Sequence, residues 1–159
     1  MPTLPRSRPR SLPYIAPLAL SQHKNVAVTG ARHPVPVRGN ADTLGRAVRN
    51  LVENALVHTA TGTTVEISVT AVGELRVMDR GPGVPSAERE QIFQRFWRRD
   101  RRLAGSAGLG LAIVKRITEM HGAAVGVCDR PGGGAVFTIR FPDAIEAATP
   151  TERQLETAL

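Results

Sequence analysis

Leu44-Gly-Arg-Ala-Val48-Arg-Asn50-Leu51-Val52-Glu53-Asn54-Ala55-Leu56-Val57-His58, followed by Val65-Glu-Ile67-Ser-Val69 and Leu75-Arg-Val77-Met-Asp79, decides the fold. Leu44, Val48, Leu51, Val52, Ala55 and Leu56 recur at spacings of three and four, the period of a helix with one apolar face. Asn40 or Asp42 can cap its start, and the pattern predicts an end near His58, before Thr61-Gly62. Val65, Ile67 and Val69 alternate with polar residues, as do Leu75 and Val77 after a turn at Gly73, so a β-hairpin follows. Its second strand ends at Asp79 and runs into Arg80-Gly81-Pro82-Gly83, a turn or loop.

Working outward, 26–29 reads as a strand, and Val35-Pro36-Val37 as a second one held to a sheet edge by its proline. Residues 86–97 form a short predicted helix ending in Phe93, Phe96 and Trp97, and 98–107 a polar, mobile loop. Leu109, Ile113, Ile117 and Met120 line one face of a helix over 109–121, stopped by Gly122. A second hairpin pairs 124–128 with 135–141 around Arg130-Pro131-Gly132-Gly133-Gly134. No internal repeat is present. Three segments are expected: residues 1–24, a poorly ordered arm or truncated remnant; 25–142, the folded domain; 143–159, a polar tail. Helix, hairpin, loop, helix, hairpin is the order of an α+β protein. It predicts a two-layer α/β sandwich, about three helices covering one face of a mostly antiparallel sheet.

The chain has 159 residues, 17.1 kDa, one domain's worth. Apolar residues at 42% and charged residues at 22% argue against disorder over most of it. A single cysteine, Cys128, excludes an intrachain disulfide and a cysteine-cluster metal site. The apolar stretch 14–20 is too short to span a bilayer. Arg6, Arg8 and Arg10 ahead of it suit a signal peptide, but Pro13 and Pro17 break the apolar helix such a peptide needs, so a cytoplasmic protein without membrane contact is expected. The net charge of +7 is almost all arginine. It attracts nucleotides, nucleic acid or acidic protein faces, or is simply a solvated basic surface.

Three motifs carry candidate chemistry. On a helix, Asn50 and Asn54 project one turn apart from one face, with His58 a turn further and Glu53 beside Asn54. Such oxygens suit a hydrated Mg²⁺; the plain alternative is a solvent-facing polar stripe. Asp79 at a strand end can accept a hydrogen bond from an exocyclic amine such as adenine N6, and Gly81 and Gly83 let the backbone approach a flat ring. Otherwise Asp79 is a turn former. Gly105-Ser-Ala-Gly108-Leu109-Gly110-Leu111 precedes a helix, where backbone N–H groups favour phosphate. It lacks the Gly-Lys-Ser/Thr of a Walker loop.

Taken in order, these segments resemble the catalytic ATP-binding domain of bacterial two-component sensor histidine kinases, within the superfamily that includes gyrase B, Hsp90 and MutL. Residues 50–59 are similar to its N box, 79–84 to its G1 box, 92–100 to its F box and 105–111 to its G2 box. His121-Gly122 and 131–134 fit the closing segment. The resemblance covers 25–142 and implies the Bergerat ATP-binding fold, with ATP and Mg²⁺ as ligands. It implies that Asn50 and Asn54 hold Mg²⁺ between the phosphates and that Glu53 orients or deprotonates the nucleophile, as the catalytic residue. Asp79 would read adenine N6, with Gly81, Gly83 and Val84 shaping the pocket and His58 lining the nucleotide. Gly108, Leu109, Gly110 and Leu111 would hinge and line the ATP lid. Phe93 and Phe96 would anchor it to the core, and Trp97 is equally a docking or a core residue.

Two departures stand out. Val57 occupies a position where many members carry a cation for the phosphates, which Arg95, Arg98, Arg99, Arg101 or Arg102 could supply instead. None of His23, His33, His58 and His121 has the context of a phosphoacceptor. The acceptor is therefore expected on a helical dimerisation domain, on another chain or another part of the same protein, with a response regulator further on. Protein-histidine kinase activity is the leading reading. A nucleotide-binding regulatory module is the alternative, and nucleic-acid binding rests on charge alone.

Overall fold

The computed structural model describes residues 12–30, 35–99 and 108–142. The expectations for the first eleven residues, the tail 143–159, and Gly105, Arg101 and Arg102 lie outside the described residues.

Five strands form one sheet in the order β1-β2-β3-β5-β4: β1 Asn25–Gly30, β2 Thr64–Val69, β3 Glu74–Met78, β4 Ala124–Asp129 and β5 Ala135–Arg140. β1 and β2 run parallel, and every other pair is antiparallel. The long helix α2, Ala41–His58, makes the crossover that the parallel pair requires. In register, Ile67, Val77, Phe137 and Val127 form one row across the sheet, and Val69, Leu75, Ile139 and Val125 the next. All of these side chains face the helices, because a strand alternates its faces residue by residue.

α2 supplies the other half of the core. Leu44, Ala47, Leu51, Val52, Ala55 and Leu56 are buried along it. Each large aliphatic side chain removed from water contributes about 1.5–3 kcal/mol. Asn40 caps the helix, its side-chain oxygen accepting the Thr43 N–H at 2.9 Å. α3, Gly110–Met120, packs beside α2 and buries Val114, Ile117 and Thr118. It ends in a Schellman turn: Ala123 N–H reaches the Thr118 carbonyl at 2.9 Å and Gly122 takes φ 63°. His121 then ties the two helices together. Its Nδ1–H donates to the Ile117 carbonyl (2.7 Å) while Nε2 accepts the Asn40 N–H (3.1 Å).

Three expectations are corrected. Residues 12–21, read as part of a disordered arm, form helix α1, Leu12–Ser21, which buries Ile15 and Ala19 in the core. Pro17 sits inside it and forfeits only one intrahelical N–H. The stop is another Schellman turn, Lys24 N–H to the Ala19 carbonyl at 2.9 Å, with His23 rather than glycine at φ 52°. Second, Val35 and Val37 are buried but form no strand: Pro36 makes an isolated bridge. Third, residues 86–97 make two short 3₁₀ segments, Ser86–Glu88 and Gln91–Phe93, not one helix.

Leu51 is fully buried where α2 meets the sheet. Leu51→Ala should lower the unfolding free energy by about 2–5 kcal/mol, and Asn40→Ala by about 1 kcal/mol. Urea denaturation followed by circular dichroism measures both, and equal losses would contradict this account of the core.

Candidate functional site

The sheet register fixes the floor of the site. Asp79 extends β3 by one residue, so it points the same way as Leu75 and Val77, toward the helices. It is only 3% exposed. Its Oδ1 accepts two backbone N–H groups, from Gly81 at 2.8 Å and from Ala135 at 3.2 Å. Gly81 leaves no room for a side chain, since a Cβ there would lie 2.5 Å from the His58 carbonyl oxygen. Buried Thr59 completes this corner. Its hydroxyl accepts the Arg80 N–H at 3.3 Å and shares a hydrogen bond with the Thr63 hydroxyl at 3.0 Å.

α2 forms the wall. Its sheet-facing side is apolar, while Asn50, Glu53, Asn54, Val57 and His58 line a cleft of about 650 Å³ above Asp79. The Asn50 amide donates to the Arg46 carbonyl at 3.0 Å, which leaves its oxygen toward the cleft side, 3.4 Å from where a Cβ on Gly110 would sit. Glu53 pairs with Arg49 one turn back, at 2.7 Å. His58 is exposed as a residue, yet desolvation by the surrounding protein dominates its titration and lowers its pKa from the usual value. The Asp79 carboxylate opposes that effect, and the Arg99 and Lys24 cations add to it. The Lys24 ammonium sits at the C-terminal end of α2, where it donates to the Leu56 carbonyl.

The far wall comes from the loop after β3 and the start of α3. Gly83, Val84, Ile92, Trp97, Arg98 and Arg99 line it, with Gly108, Gly110 and Leu111 at the rim. The Phe96 N–H donates to the Gly108 carbonyl at 2.9 Å. Arg99 is held by Glu88, with Nε and Nη2 each 2.8 Å from Oε2.

Of the residues singled out from the sequence, Asn50, Glu53, Asn54, His58, Asp79, Gly83, Val84, Gly108, Gly110 and Leu111 meet around this one cleft. Gly81 and Leu109 stand behind it, the first under Asp79 and the second as the N-cap of α3. The anchor role expected of Phe96 is corrected. The residue is 70% exposed and takes φ 61°, and its backbone rather than its ring makes the contact with Gly108. Phe93 is the buried one of the two, packing edge-to-face on Phe137 with ring centroids 6.4 Å apart. Trp97 is half-buried against the core and lines the cleft. Sequence reasoning missed Leu18 and Gln22 of the α1 region, which close the cleft beside α2. The prolines at 13 and 17 hid the helix that carries Leu18 toward the cleft.

Among the described residues no cluster of three His, Cys, Asp or Glu side chains could hold a metal, and no helix is long and apolar enough to cross a membrane.

A histidine whose pKa is lowered on folding binds fewer protons folded than unfolded. Its contribution to stability is therefore complete above about pH 6.5 and is lost as the pH falls through the folded value. NMR titration should place His58 below the ordinary midpoint. Asp79→Asn should move it lower still, because the one opposing charge is removed. A midpoint that rises in the variant would contradict the cleft electrostatics.

Residues 39–145 match the family model described as "Histidine kinase-, DNA gyrase B-, and HSP90-like ATPase". Over 148 residues the chain is 38% identical to the sensor-like histidine kinase SenX3 of Mycobacterium tuberculosis, covering 85% of this chain and 36% of that one. It thus spans about a third of the length of that curated relative. Among solved structures, the mycobacterial sensor histidine kinase MprB superposes with a TM-score of 0.71 at 33% identity, over 84% of this chain and 89% of that one. The ATP-binding domain of PrrB from Mycobacterium tuberculosis gives 0.64 at 29% identity, over 88% and 96%. With the family model matched over residues 39–145 and a solved relative of the same fold at 33% identity, the chain belongs to the histidine kinase-, DNA gyrase B- and HSP90-like ATPases.

Proposed function

We propose that this chain is the catalytic ATP-binding part of a histidine kinase, which binds Mg-ATP and transfers the γ-phosphoryl group to a histidine on a separate helical domain or chain. The observation that carries the reading is the buried Asp79 carboxylate at the floor of a cleft walled by Asn50, Glu53 and Asn54. A cleft of about 650 Å³ is within the ordinary range for a small-molecule site.

Asp79 Oδ1 is engaged by Gly81 and Ala135, so we assign Oδ2 to the adenine amine. Gly83 and Val84 pack along the base, and His58 lines the ribose side, its pKa lowered by burial. The phosphates run toward the start of α3, where the N–H groups after Gly108 and the helix dipole favour negative charge. Arg98 and Arg99 also line the cleft, and we assign to them the positive charge that Val57 does not supply. The donor set suits Mg²⁺: two amide oxygens one helical turn apart, with phosphate oxygens and water left to complete an octahedral shell. Bound there by Asn50 and Asn54, the ion would neutralise phosphate charge.

Phosphoryl transfer is governed by positioning and charge stabilisation. The acceptor imidazole nitrogen bonds to the γ-phosphorus, the bond to the β-bridging oxygen breaks, and ADP leaves. Glu53 accepts a hydrogen bond from the acceptor's second ring N–H and takes up that proton as the nitrogen–phosphorus bond forms, which requires the carboxylate to leave Arg49. His121 is unsuited as an acceptor, both its ring nitrogens being engaged in the fold. A response regulator would receive the phosphoryl group in turn.

Asp79→Asn should keep the Oδ1 bonds but set an N–H₂ group against the adenine amine. Isothermal titration should show ATP bound in preference to GTP, and the variant should lose about 10- to 100-fold in ATP affinity, the scale of one charge-assisted hydrogen bond. Equal affinity for ATP and GTP would end the adenine assignment.

Incubated with labelled ATP, the chain alone should acquire no acid-labile phosphate, whereas an added helical partner bearing an acceptor histidine should be labelled. Glu53→Gln should slow that labelling by about 10²- to 10⁴-fold with ATP affinity unchanged. Label appearing on the chain's own His23 would overturn the transfer scheme.

A further inference from the structure

At Asp79 the antiparallel ladder between β3 and β5 is rewired. The Asp79 N–H donates to the Ala135 carbonyl at 3.0 Å, as a ladder pair should. The return bond goes elsewhere: the Ala135 N–H donates to the side-chain Oδ1 of Asp79 at 3.2 Å, not to its backbone carbonyl. A carboxylate has thus taken the ladder position of a peptide oxygen. This holds the carboxyl plane against the sheet, and the peptide oxygen it displaces needs another donor, because a buried carbonyl left unpaired forfeits the hydrogen bonds it had with water.

That donor is Arg130, in the turn between β4 and β5. Its guanidinium Nη1 donates to the Asp79 carbonyl at 3.3 Å, and its Nη2 pairs with Glu66 of β2 at 2.5 Å. Arg130 is only 8% exposed, and its backbone N–H is fixed to the Gly134 carbonyl at 3.0 Å. One side chain therefore straps the β4–β5 turn to β3 and β2. Gly134 makes room for the arrangement. It takes φ 108°, and a methyl group there would overlap the Asp79 carbonyl oxygen.

We propose that Arg130, braced by Glu66, is a positioning residue that sets the specificity of the nucleotide site, by holding the Asp79 carbonyl out of the ladder so that its carboxylate is locked in the base-reading orientation. Without the guanidinium, the Ala135 N–H returns to the peptide oxygen as in an ordinary ladder. The carboxylate then keeps only the Gly81 N–H and is free to turn. Arg130 itself lies behind Asp79 and outside the residues lining the cleft, so its effect falls on base selection and not on phosphate binding. The proposal rests on the assignment of Asp79 to the adenine amine.

The experiment compares ATP with inosine triphosphate, which differs at the 6-position of the base, by calorimetric competition on the full chain. Arg130→Met keeps the apolar stem and removes both donated bonds. ATP affinity should fall about tenfold, inosine triphosphate affinity should stay unchanged, and the preference for ATP should shrink by the same factor. Glu66→Gln, at the half-exposed end of the strap, weakens the brace without emptying the interior, and should shift the ratio the same way by about threefold. It serves as the deciding variant should Arg130→Met not fold. A role limited to stability would lower both affinities together and leave the ratio alone, and an unchanged ratio in a folded variant overturns the proposal. If the wild-type chain itself does not prefer ATP to inosine triphosphate, the Asp79 assignment falls and this proposal with it. A preference in the wild type that survives both substitutions removes the strap alone.

Discussion

The register of β3 between β2 and β5 is the constraint on which both core and cleft depend. Leu75 and Val77 point into the core from the same face as Asp79. A slip of one residue would expose the two aliphatic side chains and carry the carboxylate to the opposite face. Because burial of the neighbouring row holds the register, the acid is placed as accurately as the hydrophobic layer beneath it.

α2 answers that floor with two faces of different chemistry. One row of side chains fills the space above the sheet, and the row a third of a turn away carries Asn50, Glu53, Asn54 and His58. Helical geometry links the two, so the packing of Leu51, Ala55 and Leu56 sets how far the polar row stands from Asp79. Both ends of the helix are held by other elements: His121 accepts the N–H of its cap residue, and Lys24 donates to a carbonyl of its last turn. Among the described residues, the Phe96 N–H donates to the Gly108 carbonyl at 2.9 Å and so joins the chain before residue 100 to the start of α3.

The buried polar groups near the floor form a connected set. Asp79, Gly81, Thr59, Thr63 and Arg80 are linked on the helix side, and Arg130 and Glu66 reach the same residue through its peptide oxygen. No buried side-chain nitrogen or oxygen among the described residues lacks a partner. In a low-dielectric interior such a network is stable only when every member is satisfied. The arrangement of Asp79 is therefore a property of the whole corner.

Local periodicity determined most of the architecture. The limits of α2, the two hairpins, α3 and its stop at Gly122 were legible because each rests on short-range spacing or on a glycine that can adopt positive φ. Asn50, Asn54 and Asp79 were legible as candidates for the same reason, by their places on a helix face and at a strand end. α1 was hidden: its prolines argue against a helix, and its stop uses His23 where a glycine would have announced it. The 3₁₀ segments and the exposed Phe96 ring were hidden because 86–97 has no regular period and takes its shape from what it packs against. Only the tertiary structure could join Leu18 and Gln22 to the cleft, or Arg130 and Glu66 to Asp79. Those partners lie 51 and 64 residues apart in the pairs Arg130–Asp79 and Arg130–Glu66, and no local pattern encodes a contact made by strands meeting across a sheet.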